Sequence, residues 1–406
     1  MLYKALASPK RSGARRDRDL YYYYAAFAQS FVDEKICELA LPREALILDP
    51  WCGSGTTLAS ARRFGHPSFG CDINPVSVVL TKSRFASAED TDAVVSLLNR
   101  AITSIANSTQ SKRGPERTLW SLRDELLRGE NHAPLDPNYY RSMRPGTALL
   151  LAALFFFARQ ALREARSKNP SWRINGSAPQ LTLTQLRESF ENLQIALKSL
   201  KKSALLDAYE FDVAVLDNER EALAPTPIAD AVITSPPYLT RLDYGNSTGL
   251  EWLLLNGSPN ADLNSWRSGF TGSVLTTRTP TSIHPLPASV GRLLEQIHAH
   301  RSKAARTYYF QFFRNYFVGI QNALVNISAA CKPGARGLFV IQDSQFKDLD
   351  IPLTALLSDI LAGRGWSVER IEPFSIPPTF YKINPKRWAG GEYVSSENVI
   401  WARWAR

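Results

Sequence analysis

The sequence predicts a doubly wound α/β sheet carrying two insertions, and three observations predict it. Short apolar runs of strand length alternate with helical patterns. Two of those runs end on an aspartate, at Asp49 and Asp72. A turn rich in small residues, Pro50-Trp51-Cys52-Gly53-Ser54-Gly55, follows the first run, where open α/β sheets bind their ligands.

The first element is a helix over 27–39, with Phe27, Phe31, Ile36 and Leu39 near helical spacing. Pro42 ends it. Ala45–Leu48 then reads as a short buried strand closing at Asp49, and Thr56–Phe64 as a helix. A second strand, Ser68–Cys71, closes at Asp72. Strand, glycine turn, helix and strand with an acidic end make a βαβ unit.

Between residues 86 and 207 helical patterns alternate with polar stretches such as STQSKRGPERT, which predicts a mainly helical insertion. The α/β pattern resumes with strands over 211–217 and 231–234, the latter running into Ser235-Pro236-Pro237-Tyr238. Residues 240–306 are rich in Gly, Ser, Thr, Asn and Pro and predict a long loop region with short helices. An aromatic helix over 308–324 leads to Lys332-Pro333-Gly334 and a fifth strand, Gly337–Ile341. Two further strands are expected near 366–371 and 398–404. No internal repeat is visible. The expected organisation is a basic arm (1–20), a core (21–85 and 208–406), the helical insertion (86–207) and the loop insertion (240–306).

Composition bounds the partners. With 44% hydrophobic and 11% aromatic residues in 406, the chain can bury a substantial core, which excludes global disorder. A net charge of +10 suits a polyanion, or marks a basic protein without one. The first twenty residues hold six cations against Asp17 and Asp19, a net +4, in an arm that tracks phosphates or is merely solvated. Cys37, Cys52, Cys71 and Cys331 form no C-x-x-C pair, so neither a disulfide framework nor a structural zinc site is expected, and no metal. The N-terminus leads into YYYYAAFAQSF and not into the apolar stretch of a signal peptide. The apolar run Ala148–Ala158 is too short to span a bilayer, which needs about 20 residues, and reads as a buried helix. A reduced cytoplasm is the expected location.

Three elements carry chemistry. Gly53 and Gly55 let the backbone turn tightly after the first strand and approach a ligand, with the amides of the next helix facing the same spot. Asp72, 19 residues after Gly53, is placed to accept from both hydroxyls of a ribose. Leu58 stands where a dinucleotide fingerprint has its third glycine, which counts against a dinucleotide. Asp217 closes the third strand and is either an acceptor for an adenine amino group or an ordinary strand-end aspartate. Ser235-Pro236-Pro237-Tyr238 follows the fourth strand. Its prolines remove two donors and leave carbonyls to accept from an exocyclic amine, while Tyr238 offers a face for a planar base.

DPWCGSGTT resembles motif I, and TSPPY motif IV, of the amino-methylating DNA methyltransferases, and Lys332-Pro333-Gly334 is similar to a turn common in Rossmann-like methyltransferases. The resemblance implies a Rossmann-like methyltransferase sheet that transfers the methyl of S-adenosyl-L-methionine to N4 of cytosine or N6 of adenine in a base flipped out of double-stranded DNA. It implies cofactor contacts from Asp49, Pro50, Trp51, Cys52, Gly53, Gly55 and Thr56. Asp72 would bind the ribose beside Ile73, and Asp217 the adenine. Tyr24, with Phe27 and Phe31, resembles the segment that packs near the methionine moiety. Ser235, Pro236, Pro237 and Tyr238 would form the target-amine site.

Serine in first place of the tetrapeptide is the form associated in this family with N4-cytosine; aspartate goes with N6-adenine. A serine lacks the carboxylate acceptor of an aspartate. No Pro-Cys dipeptide occurs, which removes the covalent route of C5-cytosine enzymes. The cofactor motif precedes S-P-P-Y, whereas many relatives reverse the order. Arg241, Asp243 and Tyr244 line the pocket or belong to ordinary loop packing. DNA contact would come from the insertions and from Lys10–Arg18, Lys112-Arg113, Lys201-Lys202 and Arg301–Arg306. The alternatives are an N6-adenine enzyme, an RNA or protein amine methyltransferase, and a non-catalytic nucleic-acid-binding module. A cognate nuclease of a restriction-modification pair would act separately.

Overall fold

The computed structural model describes residues 20–21, 23, 28–109, 118–128, 136–164, 181–203, 210–239, 243–375 and 396–405. Helix α1 (Gln29–Leu39) leads into β1 (Ile47–Asp49), α2 (Thr56–Phe64), β2 (Ser68–Asp72) and α3 (Pro75–Ser83). Then come α4 (Ala88–Thr109), α5 (Thr118–Leu126), α6 (Pro137–Ser142), α7 (Pro145–Glu164) and α8 (Leu183–Ser203). After β3 (Phe211–Val215) and β4 (Ala229–Thr234) follow α9 (Tyr244–Ser247), α10 (Gly249–Asn256), α11 (Leu263–Ser268) and α12 (Ala288–Ala299). A π-helical turn (Ala305–Tyr309) opens into α13 (Phe310–Ala330) and β5 (Cys331–Gln342). The chain closes with a hairpin of β6 (Ser344–Phe346) and β7 (Leu349–Ile351), then α14 (Leu353–Gly363), β8 (Trp366–Ser375) and β9 (Ser396–Trp404).

Seven strands form one sheet in the order β3-β2-β1-β4-β5-β9-β8. The first five are parallel, and β9 runs antiparallel to both β5 and β8. This is the doubly wound, Rossmann-like sheet expected from the sequence. From β1 the chain winds outward to β2 and β3, then returns to place β4 on the other side of β1. The reversal between β1 and β4 is the topological switch point, where open α/β sheets hold ligands.

Alternation along the strands separates two cores. Leu48, Val232, Phe339, Ile341 and Ile400 face α12, α13 and α14. Their neighbours Ile47, Ile233, Leu338, Val340 and Trp401 face α1 and α2 through Phe31, Ile36, Leu39 and Ala61. Both sides of the sheet are therefore buried, as a parallel sheet requires. A third cluster lies beyond β3, where α3, α4, α7 and α8 pack together. It explains why α3 is buried along its whole length, which a helix lying over a sheet with solvent behind it would not be.

The apolar run Ala148–Ala158 belongs to a helix longer than the run itself. Pro145–Arg163 of α7 has the length and composition of a membrane span, yet most of it is buried inside the protein. Its Arg159 faces inward and pairs with Glu251 of α10 at 2.6 Å, and its Nε bonds to the Tyr21 hydroxyl at 2.8 Å. Glu251 is 0% exposed. One ion pair thus ties α7 to α10.

One local expectation changes. Lys332-Pro333-Gly334 lies within β5 and not before it: Ala229 pairs with Cys331 and Ala231 with Arg336, so the residues between bulge out of the ladder. Proline has no N–H to give a ladder, and Gly334 takes a left-handed φ of 80°. Within 243–306 stand the short helices α9 to α12, and residues 269–287 carry neither helix nor strand. Amides on α13 strap that stretch down: Asn315 donates to the Arg278 carbonyl, Gln321 to His284 and Asn322 to Thr281. Such bonds stand in for the ladder partners that irregular backbone lacks.

Replacing Arg159 with Met leaves Glu251 buried without its cation. Urea unfolding is expected to show a loss of about 3 kcal/mol, the usual cost of breaking a buried pair from one side.

Candidate active site at the switch point

Backbone geometry builds the glycine turn. Gly53 has φ 52° and Gly55 φ 74°, a region costly for other residues. A Cβ on Gly55 would also lie 2.5 Å from Thr81 Cγ2 of α3. Thr81 in turn donates to the Gly53 carbonyl at 3.1 Å. Gly55 caps α2, whose first amides point along the helix axis into the turn.

Asp49 is 1% exposed, at the end of β1. Its Oδ1 accepts from the Thr234 hydroxyl at 2.7 Å and from the Trp51 amide at 3.3 Å, with the Thr57 hydroxyl near the same carboxyl. Thr57 also donates to the Ile233 carbonyl at 3.2 Å. Asp49 therefore shapes the turn from within and fastens β1 to the end of β4. Burial pushes its carboxyl up to about 6 against these hydrogen bonds.

Asp72, half-buried at the end of β2, accepts from the Gly53 amide at 3.0 Å and from the Asn74 amide at 2.9 Å. Burial raises it to about 6 as well. Asn74 caps α3 through Val76 and donates to Thr248 at 2.9 Å, joining this corner to α10. Ile73 is half-buried and would touch a side chain at Gly269. Tyr24 and Phe27 lie outside the described residues. Tyr23, one position earlier, lies on the glycine turn: a Cβ on Gly53 would stand 3.2 Å from its ring, and its hydroxyl is 3.3 Å from Ser77.

The other turn residues divide by direction. Cys52 is buried behind the turn against Thr81, and burial holds its thiol protonated, well above the usual range. The Pro50 carbonyl accepts from Asn218 at 2.6 Å, which holds the start of the turn against the segment after β3. Thr56 is buried in the first turn of α2. Half-buried Trp51 packs against the same apolar cluster as Tyr238. Asp217 pairs with Arg278 at 3.3 Å, and Arg278 also reaches Glu219 at 2.9 Å. A ligand amine at Asp217 would share its carboxylate with that guanidinium. Among the described residues no group of three or more metal-ligating side chains occurs.

After β4, Ser235 and Tyr238 are half-buried and Pro236 is buried. The Tyr238 amide donates to the Tyr244 hydroxyl at 2.9 Å, and its phenol donates to Glu397 of β9. The Tyr316 hydroxyl of α13 donates to the Pro237 carbonyl at 2.8 Å, and Ser344 to the Leu239 carbonyl at 2.6 Å. Not all the carbonyls of this turn are open, then. Those of Ser235 and Pro236 receive no hydrogen bond among the described residues. Tyr244 lies close enough to Tyr23 and to Tyr238 to raise the cost of ionising each, so one phenol looks toward both turns. Asp243 caps α9 and pairs with Arg267, a packing role. Arg241 lies outside the described residues, as do Lys10–Arg18 and Lys112-Arg113.

Sequence reasoning missed Tyr23, Thr234, Tyr316, Arg278 and Glu397. Thr234 adjoins S-P-P-Y and Tyr23 adjoins Tyr24, so both lay next to residues the sequence did single out; Tyr316, Arg278 and Glu397 reach the site across the sheet or from a distant loop, where no local pattern announces them. Asn74 had a signal, since Asn before Pro is a common helix start.

No protein-family model matches the chain. Over 267 residues it is 27% identical to the type II methyltransferase M.BsoBI of Geobacillus stearothermophilus, a span of 56% of this chain and 50% of that one. It is also 27% identical over 155 residues to the type II methyltransferase M.AvaI of Anabaena variabilis, 35% of this chain and 32% of the relative. The chain spans half or less of the length of these curated relatives. A solved mutant of the 16S rRNA (adenine(1408)-N(1))-methyltransferase of Catenulisporales acidiphilia, with cosubstrate SAM, overlaps 52% of this chain and 71% of its own at 14% identity. Its TM-score of 0.23 is too low to bear on the site. By sequence the chain is similar to type II methyltransferases over half or less of their length.

The raised Asp49 carboxyl makes stability depend on pH. The folded state holds that proton to about 6, against an ordinary value of 3.8, so the stabilisation is complete below pH 4 and lost as pH rises through 6. Urea unfolding should therefore show Asp49→Asn gaining on the wild type by up to about 3 kcal/mol between pH 4 and pH 7.

Proposed function

We propose that this chain is an S-adenosylmethionine-dependent DNA methyltransferase acting on an exocyclic amine of a flipped base, N4 of cytosine in first place. One observation carries the reading: the glycine turn and S-P-P-Y close adjacent parallel strands on the two sides of the switch point, stitched by Thr234 and Asp49. A donor held by the first turn would lie beside an amine held by the second. The relation to type II methyltransferases supports DNA as the substrate.

The residues present fit the cofactor. Asp72 has each oxygen fixed by a backbone amide and keeps lone pairs for two ribose hydroxyls. Gly53 leaves its turn without a side chain, and Tyr23 covers it on one side. Half-buried Trp51 and Ile73 would flank the ligand. S-adenosylmethionine, when bound, supplies a methyl group on a cationic sulfonium, which an amine displaces as a neutral thioether.

At the second turn the chain's own groups prepare the amine. The Ser235 and Pro236 carbonyls and the Ser235 hydroxyl are the acceptors that would draw electron density onto the nitrogen and stabilise its developing positive charge. Tyr238 would stack on the base, and the hydrogen bonds from Tyr316 and to Tyr244 hold the turn rigid for positioning. Residues 86–207 and 240–306 are assigned to DNA contact, with Arg301–Arg306 as a basic segment beside the core. The enzyme would act in the cytoplasm.

Incubation of the protein with labelled S-adenosylmethionine and unmethylated DNA, followed by nucleoside mass spectrometry, is expected to yield N4-methylcytosine. Ser235→Ala and Tyr238→Ala should each lower the yield roughly 100-fold. A product at N6-methyladenine would reassign the base, and cofactor binding without transfer to DNA would overturn the reading.

Calorimetric affinity for S-adenosylmethionine should strengthen as pH rises from 5 to 7, because Asp72 ionises near 6 and only its anion accepts from both hydroxyls. Asp72→Asn should weaken binding about tenfold or more at pH 7 and flatten that dependence.

A further inference from the structure

Residues 269–278, the first part of the irregular stretch after α11, touch both turns and the end of β3. A Cβ on Gly269 would stand 3.6 Å from Ile73, the residue after Asp72. One on Gly272 would stand 3.4 Å from the ring of Tyr316, whose hydroxyl holds the Pro237 carbonyl. The Tyr308 hydroxyl donates to the Val274 carbonyl at 3.0 Å. At the far end the Arg278 guanidinium donates to the Gly269 carbonyl and to Glu219, and pairs with Asp217. One side chain thus closes the stretch on itself and fastens it to the segment after β3. That segment adjoins the Asp72 corner, since the Leu216 amide donates to the Asp72 carbonyl at 3.1 Å.

The two carboxylates that meet Arg278 are held differently. Glu219 is buried, with one oxygen taken by the Thr271 hydroxyl and the other by Arg278 at 2.9 Å. Helix α13 makes room for it: a Cβ on Gly319 would stand 2.6 Å from Glu219 Oε1, and glycine is a poor helix former. Asp217 is half-buried and meets Arg278 at the longer distance of 3.3 Å, with Arg220 approaching at 3.5 Å. Its Oδ1 takes the Glu219 amide at 3.1 Å. A ligand amine at Asp217 displaces the longer contact and leaves the shorter one standing. A buried ion pair adds little net stability over apolar packing, so what this one supplies is position.

We propose that Arg278 is a positioning residue of the cofactor's adenosine subsite, where, with Glu219 as its standing partner, it latches residues 269–278 across the strand ends at Asp72 and Asp217. The latch holds while Asp217 turns its carboxylate to the purine, and it slows the escape of bound cofactor. This rests on the S-adenosylmethionine reading above.

The test uses the full chain and follows association and dissociation of S-adenosylmethionine by stopped-flow fluorescence, without DNA. Arg278→Met is expected to raise the dissociation rate about 10- to 100-fold and to leave association within about threefold or faster. Arg278→Lys, which keeps the charge and loses the fork, should fall between Arg278→Met and the wild type. Glu219→Gln should speed dissociation in the wild-type background and change it less than about twofold in Arg278→Met, because the latch is already open. Dissociation unchanged in both Arg278→Met and Glu219→Gln overturns the proposal. So does a loss of affinity that lies wholly in association, the result a merely structural Arg278 gives.

Hydrogen exchange locates the effect. Adding S-adenosylmethionine should protect the amides of residues 269–278 in the wild type and protect them less in Arg278→Lys, and equal protection in both overturns the latch. A wild type that binds no S-adenosylmethionine overturns the proposed function and the latch with it. Binding with the same dissociation rate in every variant overturns the latch alone.

Discussion

The hydrogen bond from Thr234 to Asp49, 2.7 Å long and buried, joins the ends of two strands that the chain visits 185 residues apart. Everything at the switch point is arranged around it. The same carboxyl holds the Trp51 amide, and Thr57 fastens the start of α2 to β4. The glycine turn and S-P-P-Y thus share one anchor and cannot move far independently. That anchor is a carboxylate in apolar surroundings, whose ionisation opposes folding, as groups at functional sites often do.

Around the anchor the protein spends polar side chains on backbone that has no ladder. Thr81 holds Gly53, Asn218 holds Pro50, Tyr316 holds Pro237 and Ser344 holds Leu239. The stretch 269–287 is held in the same manner by Asn315, Gln321 and Asn322 on α13. Irregular backbone near a site must be satisfied by something other than secondary structure, and amide and hydroxyl side chains supply it. The outcome is a pair of turns held in place by side chains from elsewhere in the fold.

The helices beyond β3 serve a different end. They bury α3 completely and so back the corner where Asp72, Asn74 and Ser77 meet. The Arg159–Glu251 pair, inside an otherwise apolar packing, fixes how α7 meets α10. A helix with the composition of a membrane span is here mostly buried inside the protein.

The sequence by itself determined the order of the α/β elements, the placement of Asp49, Gly53, Gly55 and Asp72 after their strands, and the position of S-P-P-Y. These are local signals: an apolar run of strand length, glycines in a turn, an acidic residue at a strand end. Helix α2 fell where its pattern put it, from Thr56 to Phe64. The tertiary structure alone decided what reaches the site from far away. Tyr23 over Gly53, Arg278 on Asp217, Tyr316 on Pro237 and Glu397 on Tyr238 come from segments whose own periodicity is unremarkable. It also moved Lys332-Pro333-Gly334 into a bulge of β5, because register with β4 is set by pairing across the sheet. Local pattern reports the conformation a residue favours. Which residue faces another across 150 positions is settled by strand order and packing, and no short stretch of sequence contains either.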